Sequence, residues 1–210
     1  MGPSGVLPIL APSNDLERAV GNREILVAGL PASGALTITR HLGEDAISMR
    51  PAARGYAIGR SVDSLLVTTP YVEWTWAALT PAEAGLPIII AAGLADPASD
   101  DRREDLAYAA FGIELPSVDY LVAAVWTRDL TAAPGVSLMA NEPHVGILQT
   151  RRGFSGSTAW YRDGVDLESV VRQLWPDADV YGLHVRFVAV IVPAGDRNAR
   201  ALLGELSLHK

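Results

Sequence analysis

The sequence predicts an all-β protein, an antiparallel β-sandwich or jelly roll with one short helix near 166–175. Two observations carry that expectation. Ten separate segments alternate apolar and polar residues with the two-residue period of a strand, whereas only one segment has a clean helical period. In addition, neither an internal repeat nor a linker divides the 210 residues, a length suited to one core.

Taken in order, residues 1–24 are rich in Pro, Gly and Ser and read as an irregular arm, with one helical turn near Asp15–Val20. A single sandwich domain is expected over 25–210. L-T-I-T-R-H (36–41) and D-A-I-S-M-R (45–50) flank the turn L-G-E as a hairpin. Strands are expected next at 55–60, 71–79, 106–115 and 118–126, then at 145–151, 157–161, 180–192 and 199–208. The helix places Leu167, Val170, Val171, Leu174 and Trp175 on one stripe, opens at Asp166 as a cap and stops at Pro176. P-A-E-A-G (81–85) is a second helical possibility, and the polar loop 97–105 is expected at the surface.

Composition narrows the function. The net charge is -7 and Lys210 is the only lysine among 17 basic residues, so no basic run exists to hold nucleic acid or an anionic membrane. No apolar run reaches membrane-spanning length. The absence of cysteine removes disulfides, thiolate nucleophiles and Cys-based metal sites. The first residues carry no positive charge before Arg18 and read as no export signal, so a cytoplasmic location is expected. A homodimer is left open.

Several motifs recur in an order that resembles an uncharacterised bacterial family of jelly-roll proteins, from about residue 36 to 208. They are W-T-W, D-D-R-R-E-D-L-A-Y-A-A-F, Y-L-V-A-A-V-W, G-S-T-A-W-Y-R-D and the closing A-G-D-R-N-A-R-A-L-L-G-E-L. The chain departs from that family at Val192, Pro193 and Ala194, where the family's acidic loop begins, and keeps only Asp196 and Asn198 of the loop. Most members of the family carry an export signal. The resemblance implies a sandwich built like carbohydrate-binding modules and brings no established activity.

Individual residues suggest chemistry by their strand parity. In Y-V-E-W-T-W, Val72, Trp74 and Trp76 share one face while Tyr71, Glu73 and Thr75 share the other. The two indoles are either core or the wall of a pocket between the sheets, with Glu73 on the outer face. In V-Y-G-L-H-V-R-F-V-A-V-I-V, parity puts His184 and Arg186 with Val188 and Val190. That face is either solvated or a pocket wall where a cation and an imidazole meet an anionic or carbonyl-bearing ligand. Tyr120 and Trp126 could line such a pocket.

Other chemistries find little support. His41, His144, His184 and His209 have no metal-ligand spacing, so no metal is expected. R-R-G-F-S-G-S (151–157) lacks the lysine and helix of a phosphate loop, and no G-x-S-x-G elbow occurs. By elimination, the expectation is a small-molecule-binding sandwich needing no cofactor. It would shape the cyclisation or isomerisation of a hydrophobic, polyketide-like substrate, with Glu73, His184 and Arg186 as catalytic groups. Tyr120, Trp126, Trp74 and Trp76 would bind the ligand. The alternative is a non-catalytic carbohydrate-binding module, which stacks sugars on aromatic rings.

Overall fold

The computed structural model describes residues 5–13, 16–21, 25–29, 36–80, 88–99, 106–127, 135–152, 159–195 and 198–210. Two sheets face each other across one large apolar core, forming a β-sandwich. The strands are β1 (Val6–Leu10), β2 (Leu26–Ala28), β3 (Leu36–His41), β4 (Glu44–Met49), β5 (Tyr56–Leu65), β6 (Tyr71–Thr80) and β7 (Ile89–Ala95). They continue as β8 (Tyr120–Thr127), β9 (Gly135–Met139), β10 (Glu142–Arg152), β11 (Tyr161–Asp166), β12 (His184–Val192) and β13 (Arg200–His209). Three short helices, α1 (Leu16–Gly21), α2 (Leu106–Phe111) and α3 (Leu167–Leu174), lie among them. None of the described helices is long and apolar enough to cross a membrane.

The first sheet runs β11-β6-β13-β4-β3, with β1 also paired to β13. The second runs β2-β5-β12-β7-β8-β10-β9. Pairing is antiparallel except between β8 and β10, which run parallel because the β9–β10 hairpin folds back beside β8. The expected hairpin at 36–50 is present. His41 pairs with Glu44, and Leu42 and Gly43 both take positive φ in the turn, as a two-residue hairpin loop requires.

Several elements differ from the sequence expectation. The first lies in the supposed irregular arm, which has the expected helical turn at Leu16–Gly21 but also a strand, Val6–Leu10, paired with the end of β13. Second, β7 has no alternation because both its faces are buried: Ile90, Ala92 and Leu94 face the other sheet, while Ile89, Ala91 and Ala95 face outward under a second core. Third, residues 106–115 are not a strand. Leu106–Phe111 is a helix rich in alanine, and it seats Leu106 and Ala107 on that second core while Tyr108 stays exposed. Gly112, at φ 69°, ends the helix in the left-handed region. Last, the strand expected at 157–161 begins only at Tyr161. Residues 81–87, 100–105 and 153–158 lie outside the described residues, so the helical possibility at 81–85 and most of two expected loops fall there.

The expected helix forms at Leu167–Leu174. Asp166 caps it, accepting from the Ser169 backbone N–H at 3.1 Å and from the Ser169 hydroxyl at 2.7 Å. Leu167, Val170 and Val171 are buried in the inter-sheet core, and Leu174 packs against its edge. Asp166→Ala is expected to cost about 1 kcal/mol of stability, a typical loss of an N-cap. An unchanged urea midpoint would show that the helix is held by packing alone.

Candidate functional site

A cleft of about 520 Å³ lies at one end of the second sheet. That size falls within the range of small-molecule sites. It is lined by Asp96, Ser99, Asp119, Tyr120, His144, Asp177, Ala178, Asp179 and Leu183. These residues come from the end of β7, the start of β8, the β10 strand and the loop that follows α3.

Local backbone chemistry fixes the floor. Asp96 follows β7 and accepts from the Ala98 N–H at 2.8 Å, turning the chain. Asp119 enters β8 by donating its own N–H to the Leu94 carbonyl at 2.9 Å, and one carboxylate oxygen, Oδ2, accepts from the Asp96 N–H at 2.7 Å. The other oxygen, Oδ1, is buried without a hydrogen-bond partner. A buried acceptor left unmet costs free energy until something donates to it.

The wall is aromatic. Tyr120 stacks on His144 with centroids 5.5 Å apart and leans against Trp175 at 4.6 Å. Trp175 is fixed in turn by donating its indole N–H to the Pro143 carbonyl at 2.7 Å. Gly146 makes room for this arrangement, since a Cβ there would lie 2.4 Å from Leu174 Cδ1 and 3.1 Å from the Trp175 ring. His144 Nδ1 lies 3.1 Å from the Asp119 carbonyl, a contact that requires the proton on Nδ1 and leaves Nε2 of the neutral ring as an acceptor. Burial, with the charges of Asp119 and Asp177 adding to it, raises the Tyr120 hydroxyl above its ordinary range, so it stays protonated as a donor. Among the described residues no group of three or more His, Asp and Glu is arranged to hold a metal ion.

The sequence-predicted residues do not converge. Of them, only Tyr120 lines the cleft. Trp74, Trp76 and Trp126 are 4%, 3% and 6% exposed in the inter-sheet core, and the space they border is about 10 Å³, enough for at most one water. Trp76 meets Trp126 edge-on at 5.7 Å and donates to Asp163 at 2.7 Å.

Glu73 lies on the outer side of the first sheet, paired with Arg162 and 3.9 Å from His209. Arg162 holds its carboxyl below the usual range. Because the folded value is the lower one, this pairing stabilises the fold above the free glutamate value of 4.5 and is lost as pH falls through the folded value. The thermal midpoints of wild type and Glu73→Gln should therefore converge in acid. A gap that widens on acidification would refute the assignment.

His184 and Arg186 sit on the second sheet, where both meet Asp63, at 2.8 Å and 2.9 Å. Foremost the His184 hydrogen bond, and then the Arg186 charge, hold the Asp63 carboxyl below its ordinary range. The anionic partner expected for Arg186 is thus a residue of the chain itself. Simple parity also fails here. A bulge between Val185 and Phe187 shifts the register, so Val185, Val188 and Val190 all face the inter-sheet core while Phe187 and Ala189 face the outer one. His184 and Arg186 therefore do not share the face of Val188.

The sequence matches no protein-family model and no curated protein. The motif resemblance to a jelly-roll family accordingly reaches no further than the sandwich. Solved structures of similar build include endoglucanase 3 of family GH12 from Trichoderma harzianum, at 8% identity and TM-score 0.43, covering 100% of this chain and 98% of that one. The catalytic domain of Humicola grisea Cel12A matches at 7% identity and TM-score 0.46, with 98% and 93% covered. The mannan-recognising carbohydrate-binding module TmCBM27 matches at 8% identity and TM-score 0.37, with 98% and 95% covered.

The expected cyclisation or isomerisation of a polyketide-like substrate is corrected by the packing of the interior: the aromatic space between the sheets that was to hold such a substrate is filled.

Proposed function

We propose that the chain is a carbohydrate-binding β-sandwich whose ligand occupies the cleft around Asp119 and Tyr120. One observation carries this reading: the stacked rings of His144 and Tyr120 line the cleft beside the carboxylates of Asp96, Asp119, Asp177 and Asp179. Sugars present both partners such a site needs. Their hydroxyls donate to carboxylates, and their C–H faces lie on aromatic rings. The cleft is polar at its floor, which disfavours a hydrophobic substrate. Membership of the uncharacterised bacterial jelly-roll family remains part of this proposal, resting on the W-T-W and Y-L-V-A-A-V-W segments.

Calorimetric titration with a panel of short oligosaccharides tests the reading. At least one should bind wild type, and Tyr120→Leu, which keeps apolar bulk against Trp175, should weaken it by about tenfold, within the range of an aromatic contact. If the panel fails while hydrophobic polycyclic compounds bind, the carbohydrate reading is wrong.

A further inference from the structure

Trp175 stands behind the cleft, 9% exposed and not among its lining residues, yet three parts of the cleft rest on it. Its ring lies 4.6 Å from that of Tyr120. Its indole N–H donates to the Pro143 carbonyl at 2.7 Å, next to His144. Its own carbonyl accepts from the Ala178 N–H at 3.0 Å and so holds the turn that brings Asp177 and Ala178 to the cleft. Trp175 is fixed in turn by its backbone N–H, which donates to the Val171 carbonyl at 2.8 Å where α3 ends.

The bond to Pro143 matters because the sheet does not fix that part of β10. The parallel ladder with β8 begins at Val145, and the register against β9 slips between Glu142 and Gly146. Pro143 has no N–H to give either neighbour. Pro143 and His144 thus lie outside both ladders, and the indole supplies an anchor that strand pairing does not. His144 is then presented to the Tyr120 ring and to the Asp119 carbonyl, 3.1 Å from Nδ1. A ring already held in its bound pose binds more tightly than one that must be ordered on contact. We infer that Trp175 is the positioning residue of the cleft. It holds Tyr120 by ring contact and His144 through Pro143, so that the two rings stand stacked before any ligand arrives. The stack belongs to the free protein, and its use in binding rests on the carbohydrate reading above.

Trp175→Phe keeps an aromatic ring in the buried site and removes the donor to Pro143. Proton NMR of the ligand-free protein follows the ring signals of the four histidines. Only that of His144 should move, toward its position in Tyr120→Leu, where the stacking partner is missing. Val170→Ala, a core variant of the same helix, should leave it in place. In wild type the Trp175 indole N–H should exchange slowly, and its ring should show nuclear Overhauser contacts with Tyr120. An unmoved His144 signal in Trp175→Phe, or the lack of those contacts in wild type, would overturn the inference. A signal that Val170→Ala moves equally would do so too, since a weakened helix would then account for it.

Calorimetry with the oligosaccharide panel gives the second readout. Any member that binds wild type should bind Trp175→Phe about threefold to tenfold more weakly, the scale of ordering one side chain on contact. Its affinity for Val170→Ala should be unchanged. Equal affinity for wild type and Trp175→Phe would overturn the role in binding and leave the carbohydrate reading standing. If no sugar binds but the His144 signal moves, the carbohydrate reading fails and the positioning of the two rings stands.

Discussion

Trp76→Ala is expected to destabilise the protein by about 3–5 kcal/mol, the usual cost of emptying a buried indole site. The indole is 3% exposed between the sheets, packs edge-on against Trp126 and lies 5.3 Å from the Tyr161 ring. Its neighbours sit on two different sheets, so no single strand can shift to close the gap. Trp76→Phe should recover much of the loss, because it restores most of the ring volume and forfeits chiefly the hydrogen bond to Asp163. Equilibrium unfolding in urea measures both variants. If Trp76→Ala left the midpoint in place, Trp76 would have to line an open space and not the core. Saturating oligosaccharide should shift wild type and both variants alike, since the indole is remote from the cleft lining.

Phe187→Ala should be equally costly, about 3–5 kcal/mol. Phe187 is wholly buried in the outer core of the second sheet, and its ring lies over Gly93, where a Cβ would come within 2.2 Å of ring carbon Cε1. The two residues form one fitted pair across β12 and β7, which are aligned at this position. Filling the glycine from the other side therefore also harms the fold. Gly93→Ala should cost about 1–3 kcal/mol by overpacking. Residues in contact do not behave additively, so a smaller ring partner should relieve the clash. In a Phe187→Leu background, Gly93→Ala should be markedly less damaging than in wild type. Additive losses in the double variant would mean that the ring does not rest on Gly93.

Where a strand has one wet face, the sequence displayed it plainly, as in β6. The alternation of Val72, Trp74 and Trp76 against Tyr71, Glu73 and Thr75 is also the alternation of core and surface. The helix at Leu167–Leu174 was equally legible, since Asp166 and the apolar stripe agree. Strand β7 was hidden because a segment buried on both faces has no period to detect. Segment 106–111 misled because alanine counts as apolar in either period.

The parity of His184 and Arg186 was lost to a bulge, which a single sequence does not mark. The cleft was harder still to read. Asp96, Asp119, Asp177 and Asp179 each look like ordinary turn residues at the end of an element, and only the strand order brings them together. Tyr120 was found for its aromatic character, while His144, noted only for its lack of metal spacing, turned out to stack upon it.

The strand order also imposes a timetable on synthesis. In each sheet an interior strand is among the last to be made: β12 joins β5 to β7, and β13 joins β6 to β4. Until residue 184 leaves the ribosome, β5 and β7 each present an unpaired edge toward the missing β12, and β4 and β6 wait still longer for β13. A nascent chain of about nine-tenths of this length would thus hold most of the apolar residues of the finished core with neither sheet closed. Such edges invite pairing with other chains. Yield in the cell should consequently depend on chaperones and on translation speed far more than the stability of the finished fold would suggest.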